Sequence, residues 1–267
     1  MNQIAFAQHL IRRQNFYILK CVHPMILKDT KMKKIIHEAD SRGYFDHGWL
    51  KTNHTFSFGN YYDPERVNFG MLRVLNDDFV EAGQGFGTHP HNDMEIVSIP
   101  LKGGLAHKDN TGSKGVIFPN EIQVMSAGTG IFHSEYNYSK EEETNFLQLW
   151  IFPDKKGHKP RYEQKRFDPD KRKNKLLKIV SPDKSNGNLW LNQDAYLSMT
   201  DLEKNKSLNY ELNTKGNGVY IFMIEGNVSA VGETLSKRDG MGIWETEEIS
   251  ISANEDSQVL LIEVPMN

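Results

Sequence analysis

Two short pairs of residues combine side chains and a spacing that suit a metal ion. The pairs are His89 with His91 and His133 with Glu135, each separated by a single residue. In an extended strand, residues i and i+2 point to the same face, so each pair directs two potential ligands to one place. If the two strands lie side by side, three imidazole nitrogens and one carboxylate oxygen can bind a single divalent ion. We therefore predict one metal site per chain.

The residues around the pairs narrow the kind of site that they can form. Pro90 lies between the two histidines of the first pair and cannot donate a backbone hydrogen bond, which predicts a strand start or a barrel rim. A zinc deaminase also uses a His-x-Glu sequence, but that class requires paired cysteines. Cys21 is the single cysteine of the chain. A multi-cysteine site and an intramolecular disulfide are therefore excluded.

The elements that must position these pairs are short strands. From about His54 onward, short β-rich runs alternate with turns that contain Gly, Asn, Asp and Pro, a pattern typical of a sandwich or barrel. The predicted strands of the first half are His54–Phe58, Met71–Leu75, Met94–Leu101, Ile122–Ser126 and Asn145–Phe152. Those of the second half are Leu189–Leu191, Tyr196–Met199, Val219–Glu225, Met241–Trp244, Ile249–Ile251 and Val259–Val264. Two β-rich halves indicate two barrels of similar plan.

Composition divides the chain into four parts. Residues 154–178 are rich in Lys and Arg and poor in apolar residues, which predicts a basic connector between a first domain at 32–153 and a second at 179–267. No histidine follows His158, so the second domain cannot repeat a three-histidine site, and we expect it to have a structural role. Residues 1–31 are basic, and we interpret them as an extension outside the core, with a targeting peptide as the alternative.

Overall composition excludes several classes of function. The 267 residues are 38% hydrophobic and 25% charged, and the formal net charge is −3 at pH 7. Nothing in that balance favours direct nucleic-acid binding. No run approaches the roughly 18 apolar residues that a membrane span needs. We therefore expect a cytoplasmic protein without a membrane or nucleic-acid partner, which fits a chain with one cysteine.

Longer stretches of the sequence resemble a known family. Matches to the first cupin motif are Gly83, His89, His91 and Glu95, and matches to the second are Gly130, His133 and Asn137. Phrases typical of pirins include Asp46-His47-Gly48-Trp49-Leu50, His54-Thr55-Phe56-Ser57-Phe58, Asn76-Asp77-Asp78 and His133-Ser134-Glu135. Departures are Gly103, displaced by one position, Gly128 in place of a usual proline, and Pro119-Asn120-Glu121 in place of Pro-Gly-Asp. From about Met32 to the C-terminus, the chain resembles the pirin family of cupins and its bacterial quercetin-dioxygenase-like members.

The resemblance implies an all-β bicupin, in which two jelly-roll-like β-barrels pack together. It implies as metal ligands His89, His91, His133 and Glu135. Cupins outside the pirin family use the carboxylate of the first motif, here Glu95, so the sequence leaves both acids open. The pirin pattern favours Glu135 as the ligand, and we then expect Glu95 and His107 to lie around the ligands.

The activity that the resemblance implies is that of a metal-dependent dioxygenase, which opens the ring of a flavonol such as quercetin with O2. Fe(II) is the metal that the family favours, and Mn, Co, Ni, Cu and Zn remain alternatives. In this reaction we expect Glu135 to take a proton from the flavonol. The alternative function is that of a metal- or redox-sensing protein that acts by binding a protein partner.

A flat aromatic substrate needs a cavity near the metal, and apolar residues of the first domain are candidates for its walls. These candidates are Phe56, Phe58, Phe86, Met94 and Met125. Each of them could equally be a core residue. The aromatic neighbours of His47 and His54 indicate packing roles for those two histidines.

Overall fold

Strands make up most of the part of the chain that the structure, a computed structural model, describes, residues 32–184 and 187–267. The strands of the first half are β1 (Lys33–His37), β2 (Gly43–Asp46), β3 (Leu50–His54), β4 (Leu72–Val80), β5 (Gly85–His91), β6 (Glu95–Lys102), β7 (Leu105–Asp109), β8 (Lys114–Ile117), β9 (Glu121–Ser126), β10 (Ile131–Asn137), β11 (Thr144–Ile151) and β12 (Arg161–Arg166). Those of the second half are β13 (Leu177–Ser181), β14 (Leu189–Trp190), β15 (Tyr196–Leu202), β16 (Ser207–Glu211), β17 (Asn217–Glu225), β18 (Val228–Ala230), β19 (Glu233–Leu235), β20 (Gly240–Trp244), β21 (Glu248–Ala253) and β22 (Ser257–Pro265). Two short 3-10 helices occur at Ala39–Ser41 and Pro169–Arg172. Within these two described ranges, no helix is long and apolar enough to cross a membrane.

Two antiparallel sheets form the first barrel. Its seven-stranded sheet has the order β12-β9-β6-β11-β4-β3-β2, and its four-stranded sheet has the order β5-β10-β7-β8. Alternate residues of β10, beginning with Ile131, are buried, so one face of this strand lines the barrel interior. β5 is an edge strand, which leaves one side of its backbone unpaired and so accommodates Pro90.

The second barrel repeats this plan, and one of its strands, β1, comes from the start of the described chain. Its seven-stranded sheet has the order β1-β20-β17-β22-β15-β13-β14, and its four-stranded sheet has the order β16-β21-β18-β19. β1 precedes the whole first barrel in the sequence, yet it pairs antiparallel with β20, from Lys33 opposite Trp244 to His37 opposite Gly240. The two cupin barrels of this all-β fold are therefore linked through β1, which precedes the first barrel in the sequence but lies in the second, as well as through their connecting segment.

The largest apolar cluster joins the two seven-stranded sheets. It combines buried residues of β4, β6 and β11 with buried residues of β15, β17 and β22, such as Leu75 and Leu149 on one side and Phe222 and Leu260 on the other. A separate apolar cluster fills the second barrel. The first barrel has two smaller clusters, which leave room in its interior for polar side chains.

Two predicted segments have a different structure from the one expected. His54–Phe58 is not a strand, because β3 ends at His54 and the chain then turns, with the Ser57 amide donating to the Arg66 carbonyl at 2.6 Å. The aromatic residues at alternate positions of this segment resemble the pattern of a strand, but they lie on a loop. The basic segment 154–178 contains β12, whose Arg161–Arg166 pair with Glu121–Ser126 of β9. Part of the predicted connector is therefore built into the first barrel.

Candidate metal centre

Three imidazoles meet where β5 and β10 lie side by side. In the antiparallel register, His133 is opposite His89 and Ile131 is opposite His91. The centroid of the His133 ring lies 4.4 Å from that of the His89 ring and 4.9 Å from that of the His91 ring. One nitrogen from each of the three rings lies within 4.8 Å of the others. The structure therefore brings the three predicted histidine ligands together.

Glu135 lies beside this cluster, with a different set of neighbours. The register between β10 and β5 shifts between His133 and Glu135, so that Glu135 is opposite Phe86 on β5 and opposite His107 on β7. Its carboxylate forms a second group with His133 and His107, in which the potential ligand atoms again lie within 4.8 Å of one another. The four predicted ligands thus form two overlapping groups that share His133.

Three donors of the barrel interior hold the Glu135 carboxylate. Gln148 Nε2 donates to Oε2 at 2.7 Å, and Ser98 Oγ and Gln123 Nε2 each approach Oε1 at 3.3 Å. These donors come from β11, β6 and β9 of the opposite sheet. The carboxylate is therefore fixed in orientation, with its Oε1 atom the more weakly engaged of the two oxygens.

A chain of hydrogen bonds prepares His133 to bind a metal. His107 Nε2 lies 3.0 Å from Asp109 Oδ2, and its Nδ1 lies 3.4 Å from His133 Nδ1. Because His107 donates from Nε2 to the carboxylate, its Nδ1 is an acceptor and His133 donates from Nδ1. His133 Nε2 then keeps its lone pair, and this buried atom has no hydrogen-bond partner in the described part of the chain. Metal-binding histidines are commonly oriented in this way, so the residues present fit a divalent ion.

Burial keeps the imidazoles in the neutral form that binds metals. Burial, reinforced by the neighbouring imidazoles, lowers the pKa of His91 to about 3 and the pKa of His133 to about 3. Both rings are therefore neutral at pH 7. A metal ion would not have to displace a proton from either of them.

Glu95 lies on the other face of its strand. Along β6, Val97 and Ile99 belong to the core between the barrels, whereas Ser98 points into the first barrel. Glu95 is two residues before Val97 on the strand and therefore points to the same face as Val97. Its carboxylate accepts hydrogen bonds from Ser126 Oγ at 2.7 Å and from Asn192 Nδ2 at 3.0 Å. The structure therefore does not bring Glu95 to the imidazoles, although it does bring His107 to them.

A cavity of about 370 Å³ opens beside the imidazoles, a volume within the range of small-molecule sites. Its lining residues are Phe45, His47, Leu50, Thr52, His54, Phe58, Gly59, Asn60, Asn76, Asp78, Phe86, His89, His91, Glu135, Gln148 and Trp150. Of the five residues proposed from the sequence for the cavity walls, Phe58 and Phe86 lie in this lining. Phe56 instead packs in the core between the barrels, and Met125 and Met94 belong to an apolar cluster of the first barrel.

Several cavity residues were not anticipated from the sequence. His47 and His54 line the cavity rather than serving only as packing residues, and both lie near the Phe45 ring. Asn76 and Asp78 also line it from β4. A usable signal was present, because Asn76-Asp77-Asp78 is a run of polar residues near the centre of a largely apolar strand, and buried polar side chains need partners.

Sequence comparisons identify related proteins for both barrels. A family model described as Pirin matches residues 8–151, and one described as Quercetinase C-terminal cupin domain matches residues 178–264. The chain is 46% identical over 230 residues to the quercetin 2,3-dioxygenase of Escherichia coli K12, covering 86% of this chain and 98% of the relative. It is 39% identical over 225 residues to a pirin-like protein of Caulobacter vibrioides, covering 84% of this chain and 96% of the relative.

A solved structure resembles this chain over nearly the whole length of the solved protein. It is the bacterial pirin YhhW of Escherichia coli in complex with nickel(II), with a TM-score of 0.83 and 45% sequence identity. The match covers 87% of this chain and 99% of YhhW. A quercetin 2,3-dioxygenase from Acinetobacter baumannii, 21% identical with a TM-score of 0.71, covering 87% of this chain and 86% of that chain, shares the fold.

Proposed function

This chain belongs to the pirin family of cupin proteins, and on that basis we propose that it is a metal-dependent dioxygenase that opens the ring of a flavonol with O2. The observation that carries the proposal is the convergence of His89, His91 and His133 beside a cavity with aromatic walls. The quercetin 2,3-dioxygenase name of a 46% identical relative supports the reaction class. The nickel complex of YhhW supports a divalent metal.

The three imidazoles would hold the metal, and Glu135 would supply the nearest carboxylate. Imidazole and carboxylate ligands suit Fe(II) as well as Mn, Co, Ni and Cu, and we propose Fe(II) as the working metal. A bound divalent ion would act as a Lewis acid that lowers the pKa of a substrate hydroxyl. A closed, thiolate-rich structural zinc site is a poorer match, because this cluster has no cysteine and borders an open cavity.

Glu135 is placed to accept the hydroxyl proton of the flavonol. Its side chain is buried, lines the cavity and is oriented by the 2.7 Å hydrogen bond from Gln148 to Oε2. Oε1 has only the two 3.3 Å contacts with Ser98 and Gln123, so it is the oxygen that we assign as proton acceptor. A carboxylate fixed by neighbours on one side can take a proton on the other without a change of rotamer.

Aromatic side chains shape the rest of the cavity. Phe58 and Trp150 pack edge to face with ring centroids 5.2 Å apart, and Trp150 also contacts the His91 ring at 4.8 Å. Phe86 contacts Trp49 behind it at 5.2 Å, which fixes its ring. Such walls hold a planar ring by contact area and exclude water from the reacting atoms.

The reaction can be tested with the metal-loaded protein and quercetin. We expect loss of the flavonol absorbance together with formation of carbon monoxide. Glu135→Gln should keep most of the metal but lose turnover, because the amide cannot accept the proton. Glu95→Gln is the matched control, since Glu95 lies on the far face of β6, and it should retain turnover. Stoichiometric metal binding without turnover for Fe, Mn, Co, Ni or Cu would reject the dioxygenase and favour a sensor that binds a protein partner.

We also propose a cytoplasmic location. The chain has one cysteine and therefore cannot form an intramolecular disulfide, which suits a reducing compartment. Fractionation of cells that express the protein, with detection by antibody, would test this location.

A further inference from the structure

Two pairs of polar side chains line the cavity on β3 and β4, and the proposed reaction does not use them. They are Thr52 with Asp78 and His54 with Asn76, each pair directly opposite in the antiparallel register. All four side chains are buried, and all four line the cavity. We refer to these four residues as the acceptor wall. Burying so many polar groups on one patch of a barrel is destabilising unless they have partners.

Two atoms of the acceptor wall have no such partner. His54 Nδ1 and Asn76 Oδ1 are both buried without a hydrogen bond to any of the described residues. Asn76 is opposite Gln148 on β11, the residue that donates to Glu135. The acceptor wall is therefore continuous with the polar groups that hold the proposed proton acceptor, and its four residues line the same cavity.

The two unpaired atoms of the acceptor wall are both hydrogen-bond acceptors. Burial lowers the pKa of His54 to about 4, so its ring is neutral, and a hydrogen bond to the Phe58 backbone uses one ring nitrogen. Since Nδ1 has no partner, the bonded atom is Nε2 and Nδ1 is left as an acceptor. The unpaired atom of Asn76 is its amide oxygen, which is also an acceptor. Thr52 Oγ1 donates to Asp78 Oδ1 at 2.5 Å and so fixes the orientation of that carboxyl group.

We infer that the acceptor wall determines specificity by binding hydroxyl groups on an aromatic ring of the substrate. The inference rests on the proposed function, because it concerns how the cavity holds the proposed flavonol substrate. The wall combines acceptor atoms with the Phe45 and Phe58 rings, which lie 5.4 Å and 5.2 Å from the His54 ring. A ring that carries hydroxyl groups satisfies both features, whereas a bare ring leaves the acceptors unpaired. The ligand class is therefore a polyhydroxylated aromatic compound.

Two flavonols separate this role from metal binding. Quercetin and 3-hydroxyflavone share the 3-hydroxy-4-keto edge, but only quercetin carries hydroxyls on its outer rings. Dissociation constants should be measured without O2 by absorbance titration of the protein loaded with Ni(II). We expect wild-type protein to bind quercetin at least about tenfold more tightly, the effect of one or two hydrogen bonds to buried groups. Equal affinity for the two flavonols, or binding of neither, would overturn the inference.

Substitutions in the acceptor wall test whether these residues cause the preference for quercetin over 3-hydroxyflavone. Asn76→Leu keeps the side-chain size and removes the acceptor, so it should weaken quercetin binding while leaving 3-hydroxyflavone binding unchanged or tighter. Asn53→Leu is the matched control, since Asn53 lies on the outer face of β3 and should leave the preference intact. His54→Phe provides a second variant if Asn76→Leu fails to fold. Equal weakening of both flavonols by Asn76→Leu and His54→Phe would indicate a structural role and reject the inference.

Turnover distinguishes this inference from the proposed function. If metal-loaded wild-type protein consumes both flavonols without preference and Asn76→Leu changes neither rate, the dioxygenase stands and the specificity role is wrong. If the protein binds quercetin selectively but turns over neither flavonol, the specificity role of the acceptor wall is supported and the proposed dioxygenase activity is rejected.

Discussion

The interiors of the two barrels differ, although the barrels share one architecture. The second barrel is filled by a continuous apolar cluster that includes Val219, Ile221, Met241 and Leu261. The first barrel has only two small apolar clusters, and the rest of its interior contains imidazole, carboxylate and amide groups. Since the second barrel folds around an apolar interior, the polar centre of the first barrel is not a requirement of the fold.

Each barrel buries a glutamate, and the two glutamates show what this difference means. Glu263 of the second barrel accepts hydrogen bonds from Tyr210 Oη at 2.6 Å and from both nitrogens of Asn213 at 2.9 and 2.8 Å. Glu135 has one short hydrogen bond and two long contacts, and its neighbour His133 has an unpaired nitrogen. A polar group saturated by its own barrel stabilises that barrel, whereas an unsaturated one remains available to a ligand.

The largest expected effect is the loss of the metal from the first barrel. His133→Ala removes the residue shared by both ligand groups. If four ligands share a total affinity of about 10–16 kcal/mol, losing one weakens binding by at least about a hundredfold. Metal content should be measured by elemental analysis after reconstitution, and His47→Ala, at an exposed cavity histidine, is the control. A His133→Ala protein with the metal content of the parent would contradict the assignment.

A substitution in the apolar interior of the second barrel should destabilise that barrel and leave the metal site intact. Leu261→Ala creates a cavity in the apolar cluster and should lower the free energy of unfolding by about 3 kcal/mol. Urea denaturation measures this loss, and Leu208→Ala, at a half-buried position of β16, should cost much less. Metal affinity of the folded Leu261→Ala protein should equal that of the parent. A large drop in affinity would show that the barrels are not separable in function.

The His107 contact should have a smaller effect than the ligands themselves. His107→Ala removes the acceptor that fixes the His133 tautomer, and we expect metal affinity to fall by about 10- to 100-fold. Asp109→Asn should give a weaker loss, because the amide can still accept a hydrogen bond from His107 Nε2. Competition with a chelator of known affinity measures both values. Unchanged affinity in His107→Ala would mean that the hydrogen bond does not orient the ligand.

Local sequence patterns predicted the strands and the converging histidines because both depend on short spacings. The i, i+2 rule placed His89 and His91 on one face without knowledge of the fold. The same rule could not choose between Glu135 and Glu95, because both faces of the strand that carries Glu95 are buried and the spacing does not tell which face meets the histidines. Only the packing of the second barrel against β6 shows that Glu95 faces away from the imidazoles.

Contacts between segments that are distant in the sequence could not be predicted from local sequence patterns. The pairing of β1 with β20 spans about two hundred residues and no local pattern marks it. Phe56 and Phe58 differ by two positions and were expected to share a wall, yet a loop sends Phe56 to the core between the barrels and Phe58 to the cavity. Side-chain alternation holds only in a strand, and this segment is a turn.

Burial of histidines also predicts an acid-sensitive structure. Burial lowers the pKa of His37 and His54 to about 4, and it lowers the pKa of His91 and His133 to about 3. An unfolded histidine has a pKa of about 6.5, so between that pH and about 4 the unfolded chain binds more protons than the folded one. Stability is therefore complete above pH 6.5 and falls as the pH decreases. Asp78, with a pKa raised to about 7 by burial, and Glu95 act in the opposite direction but are outnumbered.

This acid sensitivity should be greater in the first barrel, which contains His54, His91 and His133, than in the second, where the one such histidine is His37 on β1. For the metal-free protein, the free energy of unfolding in urea should fall by at least about 1.4 kcal/mol per pH unit between pH 6 and 4.5, the effect of one net proton. Hydrogen exchange, corrected for its intrinsic pH dependence, should show β5 and β10 opening before β17 and β22. Stability that is flat over this range, or earlier opening of the second barrel, would mean that the imidazoles are solvated enough to take up protons in the folded state.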